Sequence, residues 1–236
     1  LLIKIFYRVI GIQIVMENHV LTLAFAFGII GMIMGSVSAI FSHDLRRMVA
    51  FSSVAQIGYI YAGLGLGVHV GYAAAIFHMV MHAFAKSALF MSASSLADAS
   101  GNSKRFSDLR GAGFRHPAAG VCFCVAAMSL VGVPVLGGFV AKFNFALAAV
   151  EAGSIYSTLV LLVLAISTAL NTVYFLRTVI TLYRKPVETA HYPVEKGQRG
   201  LLFNAALVCF AAVNVLLGIF SQSIVNAIVH GLSTFG

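Results

Sequence analysis

Apolar runs of transmembrane length recur along this chain, and no other feature constrains its fold as strongly. A spanning helix needs about 20 predominantly apolar residues, and the connections between these runs are too short to hold a separate domain. Hydrophobic residues make up 60% of the 236 residues and charged residues only 9%, which places the chain in a bilayer and not in water. A transmembrane barrel would alternate apolar and polar residues along each strand, and these runs do not. The expected fold is therefore one all-α polytopic bundle. The formal charge of +8 lies in the loops between runs, where the preference of basic loops for the cytoplasmic side already accounts for it. It implies no nucleic-acid partner.

The chain opens LLIKIFYRVIG, inside an apolar run, without an initiator Met or a cleavable signal pattern. It reads as the later part of a longer protein, with residues 1–11 the end of a preceding span that carries Lys4 and Arg8. Five runs follow, at 21–41, 48–67, 71–96, 116–150 and 154–183. A final span is expected at 200–222 and a weakly amphipathic tail at 223–236. In the first run Gly28, Gly31 and Gly35 form a small-residue face suited to close helix contact. The fourth run is too long for one straight span, and Gly132, Pro134, Gly137 and Gly138 interrupt it near its middle. Proline removes a backbone donor there, so the spacing predicts two half-helices joined by an unwound link. Irregular backbone at membrane depth is tolerated only inside protein or beside a wet cavity.

Crossing by crossing, this assignment puts Arg46, Arg47, Lys104, Arg105, Arg110, Arg115, Arg184, Lys185, Lys196 and Arg199 in loops on one side. The turns on the other side hold no basic residue. The basic side is then the cytoplasmic one, with the chain in a prokaryotic inner membrane or its organellar equivalent. All seven acidic residues fall in turns or loops, whereas Lys4, Lys86 and Lys142 fall within spans. A lysine at the bilayer centre costs about 2.5–3.5 kcal/mol on insertion scales, so it needs water, a partner or a function. His78, His82 and Lys86 recur at steps of four in FHMVMHAFAKSALF (77–90), which lines them along one helical stripe. Lys142 follows the interruption by about one turn. Burial penalises the charged form of a lysine, and histidine titrates near neutrality, so such a set is suited to taking and releasing protons. Ser52, Ser53, Gln56 and Ser87 are candidates to hold water beside it, or equally to bind helices together. Arg8 and Arg177 read as interfacial anchors.

Two bland or rival readings compete. The HxxxH spacing of His78 and His82 also occurs in membrane di-iron enzymes, but no carboxylate and no second histidine box accompany it. Cys122, Cys124 and Cys209 lie in apolar runs without metal-site spacing and read as packing residues. No redox or cofactor motif is present. A purely structural membrane subunit is the remaining alternative, and three buried cations without visible partners argue against it.

The segments DLRRMVAFSSVAQIGY (44–59), HMVMHAFAKSALFM (78–91) and MSLVGVPVLGGFVAKF (128–143) resemble, in order and position, the antiporter-like subunits shared by respiratory complex I, Mrp-type cation/proton antiporters and membrane-bound hydrogenases. The resemblance covers essentially the whole chain but corresponds to the later half of such a subunit. It implies two inverted five-helix repeats, of which residues 21–183 are the second, with its discontinuous helix fourth. It also implies that Lys86 is the central relay lysine, flanked by His78 and His82. Lys142 is then the lysine of the broken helix and Lys4 the basic link between half-channels. Phe143, where some members carry an acid, and the lack of a long lateral helix make the chain more similar to the N-type and D-type subunits.

The function these expectations describe is proton or cation translocation within a redox-driven multisubunit membrane complex, along a relay of lysine, histidine and water. An Mrp-type Na+/H+ antiporter subunit without redox chemistry is the alternative. The expected partners are other membrane subunits, the lipid bilayer, and protons or Na+.

Overall fold

The computed structural model describes residues 5, 9–11, 14–15, 18–153, 155–185 and 200–233. Among them the chain forms no strand; its helices from residue 20 onwards are α1 (Val20–Ile40), α2 (Leu45–Gly65), α3 (His69–Asp98), α4 (Ala112–Arg115), α5 (Pro117–Val131), α6 (Gly137–Ala152), α7 (Ile155–Tyr183), α8 (Leu201–Ile219) and α9 (Ser221–Ser233). By length and composition α1, α2, α3, α7 and α8 are each able to cross a membrane. The helices α5 and α6 have 15 and 16 residues, each short of the roughly 20 that a span requires. Together they form one discontinuous crossing.

The closest packing is between α1 and α2. A β-carbon at Gly28 would stand 2.4 Å from the Ala62 nitrogen, and one at Gly35 would stand 2.3 Å from that of Ala55. The backbones therefore meet directly, and dispersion between them is the available attraction, because lipid tails are as apolar as the helix faces. Asp44 starts α2 by accepting the Arg47 N–H at 3.0 Å, a cap that sets the helix start at Leu45, a turn earlier than the apolar pattern alone implies.

The centre of the bundle is α3, which packs on α2, α5, α6, α8 and α9, while α1 and α7 close the far side of α2. Alanine is abundant in its buried faces, with Ala74, Ala75, Ala85 and Ala88 fully covered, so its neighbours approach closely on several sides at once.

The loops at 41–44 and 99–111 meet at one end of the bundle. Leu45 N–H donates to the Lys104 carbonyl at 2.9 Å, and Asp44 and Arg105 form an isolated antiparallel bridge. Arg177 reaches the same end, where its guanidinium donates to the Ser42 carbonyl at 3.2 Å and lies 5.2 Å from the Phe106 ring. Arg115 knits the long loop by donating to the carbonyls of Ala99 and Arg110. The basic residues of the 99–111 loop thus share one end with Arg46 and Arg47 of the first turn of α2.

The segment after α8 differs from the expected tail. Gly218 presses on the α5–α6 link, where a β-carbon would stand 2.0 Å from the Val135 carbonyl oxygen. The chain then turns at Phe220 into α9. Ile224, Ile228 and Leu232, at steps of four, face the bundle, and Ile228 and Leu232 join the cluster of Phe25, Tyr72 and Phe145.

Candidate functional site

The site begins with the way α5 ends. Gly132 adopts a left-handed conformation, φ 96°, and its N–H donates to the Ser129 carbonyl while the Val133 N–H donates to that of Met128, both at 3.1 Å. This Schellman arrangement satisfies two of the last carbonyls and leaves those of Leu130 and Val131 open. Lys142, more than a turn into α6, donates to them at 2.9 and 2.7 Å. The negative end of the α5 dipole thus takes the place of a carboxylate. Gly138 makes the approach of α6 feasible, since a β-carbon there would stand 1.6 Å from the Ser129 oxygen. The link between the half-helices also holds Val135 at φ 77°, an uncommon and costly conformation for a β-branched residue.

Lys86 is buried against α2. Its ammonium donates to the Val49 carbonyl at 2.8 Å and to the Ser52 hydroxyl. Ser52 in turn donates to the same Val49 carbonyl at 2.8 Å. Both lysines are less than a tenth exposed, and their hydrogen-bond acceptors are uncharged oxygens.

His78 and His82 lie between them. Their rings stack with centroids 6.2 Å apart, and His82 is within electrostatic reach of Lys86, as His78 is of both His82 and Lys142. Tyr59 joins this group, with its ring 5.8 Å from that of His78 and 5.4 Å from the Lys142 ammonium. Phe145 closes the space, its centroid 5.5 Å from that of His78. Both His78 ring nitrogens, Nε2 of His82 and both amide atoms of Gln56 are buried without a protein hydrogen-bond partner.

The structure therefore brings four of the five sequence-predicted residues, His78, His82, Lys86 and Lys142, into one interior group. Lys4 lies outside the described residues. Of the candidate polar companions, Ser52 belongs to the group, and Gln56, one turn further along α2, is buried. Ser53 donates back to the Val49 carbonyl at 3.3 Å and Ser87 to its own helix at Ala83, so Ser87 satisfies itself locally. No group of three His, Cys, Asp or Glu side chains able to hold a metal occurs among the described residues.

A second polar layer was not anticipated from sequence. Ser36 of α1, Tyr59 of α2 and Ser167, Asn171 and Tyr174 of α7 are all essentially fully buried. Tyr59 donates to Ser167 at 2.8 Å and accepts from Asn171 Nδ2 at 3.2 Å, and Tyr174 donates to Asn171 Oδ1 at 2.6 Å. The available signal was the spacing of Ser167, Asn171, Tyr174 and Thr178, which places four polar residues on one face of an otherwise apolar helix.

A helical membrane bundle with a discontinuous crossing and two buried lysines, one of them at the break, defines the class: an antiporter-like membrane subunit. Residues 2–170 match the family described as NADH:quinone oxidoreductase/Mrp antiporter, TM, and the chain belongs to that family. It is an integral membrane protein. Among its relatives, the NADH-quinone oxidoreductase subunit N of Desulforudis audaxviator is 34% identical over 210 residues, covering 85% of this chain and 41% of the relative. That of Cereibacter sphaeroides is 36% identical over 194 residues, covering 82% and 40%. The chain thus spans about two fifths of the length of these curated relatives. Its fold is shared with a chain of the Mrp complex from Dietzia sp. DQ12-45-1b, at TM-score 0.76 and 24% identity over 89% of this chain and 46% of that one. It is also shared with a chain of the archaeal membrane-bound sulfane sulfur reductase, at TM-score 0.78 and 23% identity over 92% and 42%.

Proposed function

We propose that this chain carries protons through the membrane part of a redox-driven multisubunit complex, between Lys86, His82, His78 and Lys142, with Lys4 linking the group to a preceding half-channel. The observation that carries the reading is the pairing of two buried lysines, which have no carboxylate in contact among the described residues, with unsatisfied imidazole atoms between them. Lys86 and His78 are eight residues apart on one helix, about 12 Å at 1.5 Å per residue. A proton hop needs donor and acceptor within about 3 Å or one bridging water. His82 divides that distance, and internal water hydrogen-bonded to His78, His82 and Gln56 would complete it, since buried polar atoms in native proteins are satisfied by protein or water.

A change of field or hydration would move the lysines between charged and neutral forms, because burial makes the charged form costly. The names of the subunit N relatives favour coupling to quinone reduction in a larger complex. In this reading residues 21–183 are one five-helix repeat, the basic loops face the cytoplasm, and other membrane subunits cover the exposed apolar faces. The likeness to a chain of an Mrp complex favours one second reading, cation/proton exchange without redox chemistry.

Lys86→Ala and Lys142→Ala in the intact complex are expected to abolish coupled translocation while assembly survives. Ion flux at the unmodified level in both variants would overturn the relay. Translocation that requires an electron donor supports the redox reading, and translocation driven by a sodium gradient alone supports the second.

A further inference from the structure

An ammonium carries three N–H donors, and two of those on Lys142 go to the Leu130 and Val131 carbonyls. Beside the third is the ring of Tyr59, whose centroid lies 5.4 Å from the nitrogen, inside the roughly 6 Å at which an aromatic face attracts a cation. The two kinds of partner differ in what they recognise. As hydrogen-bond acceptors the carbonyls serve an ammonium and a neutral amine alike, because both can donate twice. An amine that keeps those two bonds turns its lone pair to the ring, where the negative face of the π-system repels it. The ring therefore separates the two charge states of Lys142 where the carbonyl pair does not.

We infer that Tyr59 is a positioning residue for Lys142, its ring face favouring the charged lysine at the helix break. The inference rests on the relay reading above. The ring is held from two helices. Its hydroxyl donates to Ser167 at 2.8 Å and accepts from Asn171 Nδ2 at 3.2 Å, both on α7. Asn171 Oδ1 is occupied by the Tyr174 hydroxyl at 2.6 Å and by Ser36 at 3.3 Å, so the amide cannot turn over without losing those bonds. From α6, Phe145 stacks on the ring with centroids 6.2 Å apart and planes at 21°. Phe145 is itself pressed onto α2, since a β-carbon at Gly63 would stand 2.3 Å from its ring. Tyr59, Ser167 and Asn171 are all fully buried or nearly so, and low local dielectric strengthens both the hydrogen bonds and the attraction between cation and ring.

The other titratable groups around Lys142 are few among the described residues. From α3, His78 is within electrostatic reach, His82 and Lys86 follow along the same stripe, and Tyr72 lies in the cluster around Phe145. From α7, Tyr174 gives its hydroxyl to Asn171, while Arg177 is at the loop end of the bundle, bonded to the Ser42 carbonyl. The cysteines of α5, Cys122 and Cys124, lie more than a turn before the carbonyls that Lys142 uses. Cys209 of α8, His230 of α9 and Glu151 at the end of α6 are exposed.

The test is the pH profile of coupled translocation in the assembled complex, measured for Tyr59→Leu and Tyr59→Phe. Tyr59→Leu removes the ring face and is expected to move the upper pH limit of translocation about one unit towards acid, a roughly tenfold change in proton occupancy at a given pH. Tyr59→Phe keeps the face, still stacked on Phe145, and loses the bonds to Ser167 and Asn171. It should lower the thermal stability of the subunit and leave the pH limit in place. An unmoved limit in Tyr59→Leu would overturn the inference in favour of a merely structural role. An equal displacement in both variants would overturn it by assigning the effect to the hydroxyl. If Tyr59→Leu does not assemble or does not translocate, trifluorophenylalanine at position 59 decides, because it nearly keeps the size of phenylalanine while its fluorines drain negative charge from the face. A limit displaced towards acid relative to Tyr59→Phe supports the inference, and coincident profiles overturn it. Failure of this inference is distinguishable from failure of the relay: Lys142→Ala would still abolish translocation in a complex whose pH limit Tyr59→Leu leaves unmoved.

Discussion

The two buried lysines are held by opposite means. Lys142 sits on carbonyls that a helix terminus leaves open, so its acceptors exist whether or not the lysine is charged, and the α5 dipole adds a partial negative charge. Lys86 instead meets the middle of an intact helix. Its backbone acceptor, the Val49 carbonyl, is also the target of the Ser52 and Ser53 hydroxyls, so the ammonium shares an oxygen with two other donors. A helix break thus builds a fixed cation site, whereas a continuous helix supports one only through side chains that can rearrange. The Lys142 site is therefore the rigid end of the group and the Lys86 site the adjustable one.

The most severe way to break this contrast is Gly138→Ala. The added methyl would collide with the Ser129 carbonyl, part the half-helices and remove the acceptors of Lys142, at about 3 kcal/mol or more by analogy with overpacked cores. Loss of the assembled subunit, or a large fall in thermal stability, is the expected result, and normal assembly and thermal stability would contradict the described geometry of the link. Ser52→Ala is the milder counterpart at the adjustable end. It leaves Lys86 with the Val49 carbonyl alone and should cost about 1.5–3 kcal/mol, the range of a hydrogen bond to a charged group. Assembly should survive it, with translocation lowered and its pH midpoint moved, which a proton-flux measurement across pH would reveal.

The smallest effect is expected at the loop end. Hydrogen bonds from Ser103 and Ser107, with the Arg105 charge adding to them, hold the Asp108 carboxyl below its ordinary range. A carboxyl depressed in the folded state contributes stability above its unfolded value of about 3.8, and that contribution is lost as pH falls through the folded value. Between pH 6 and 8, as an approximate working range for histidine and buried lysine chemistry, it is constant. Asp108→Asn should therefore leave the pH profile of translocation unaltered near neutrality and raise the protease sensitivity of the 99–111 loop there, a difference that disappears in strong acid, where the unmodified carboxyl is protonated as well. A displaced neutral profile in this variant would show that loop charges, and not the buried group, set the pH dependence.

Much of the architecture was legible because the bilayer imposes simple demands. Helix lengths follow from its thickness, and the break at 132–136 follows from Pro134 and the glycines around it. The stripe of His78, His82 and Lys86 follows from a step of four, and Lys142 was visible as a cation just past the break. What spacing does not carry is the identity of partners. Lysine without a nearby acid in sequence gives no hint that its acceptors are the Leu130 and Val131 carbonyls, because every residue has a carbonyl and only a helix end leaves one free. The amphipathic order of Ile224, Ile228 and Leu232 was present at 223–236, but its meaning depends on α3 offering a face to cover it. The Ser36, Tyr59, Ser167, Asn171 and Tyr174 layer escaped notice for a similar reason: its members come from three helices far apart in the chain, and isolated hydroxyls in membrane helices commonly bind their own backbone.

By itself, then, the sequence determined that this is a helical membrane protein with one interrupted crossing and titratable residues at membrane depth, since apolar length, proline and helical period act locally along the chain. The tertiary structure alone decided which oxygens receive each ammonium, which imidazole atoms are left unsatisfied, and that Asn171 reaches the hydroxyl of Tyr59, whose ring lies beside Lys142. Those are relations between helices, set by the close approach that Gly28, Gly35 and Gly138 permit. No local rule of spacing specifies them.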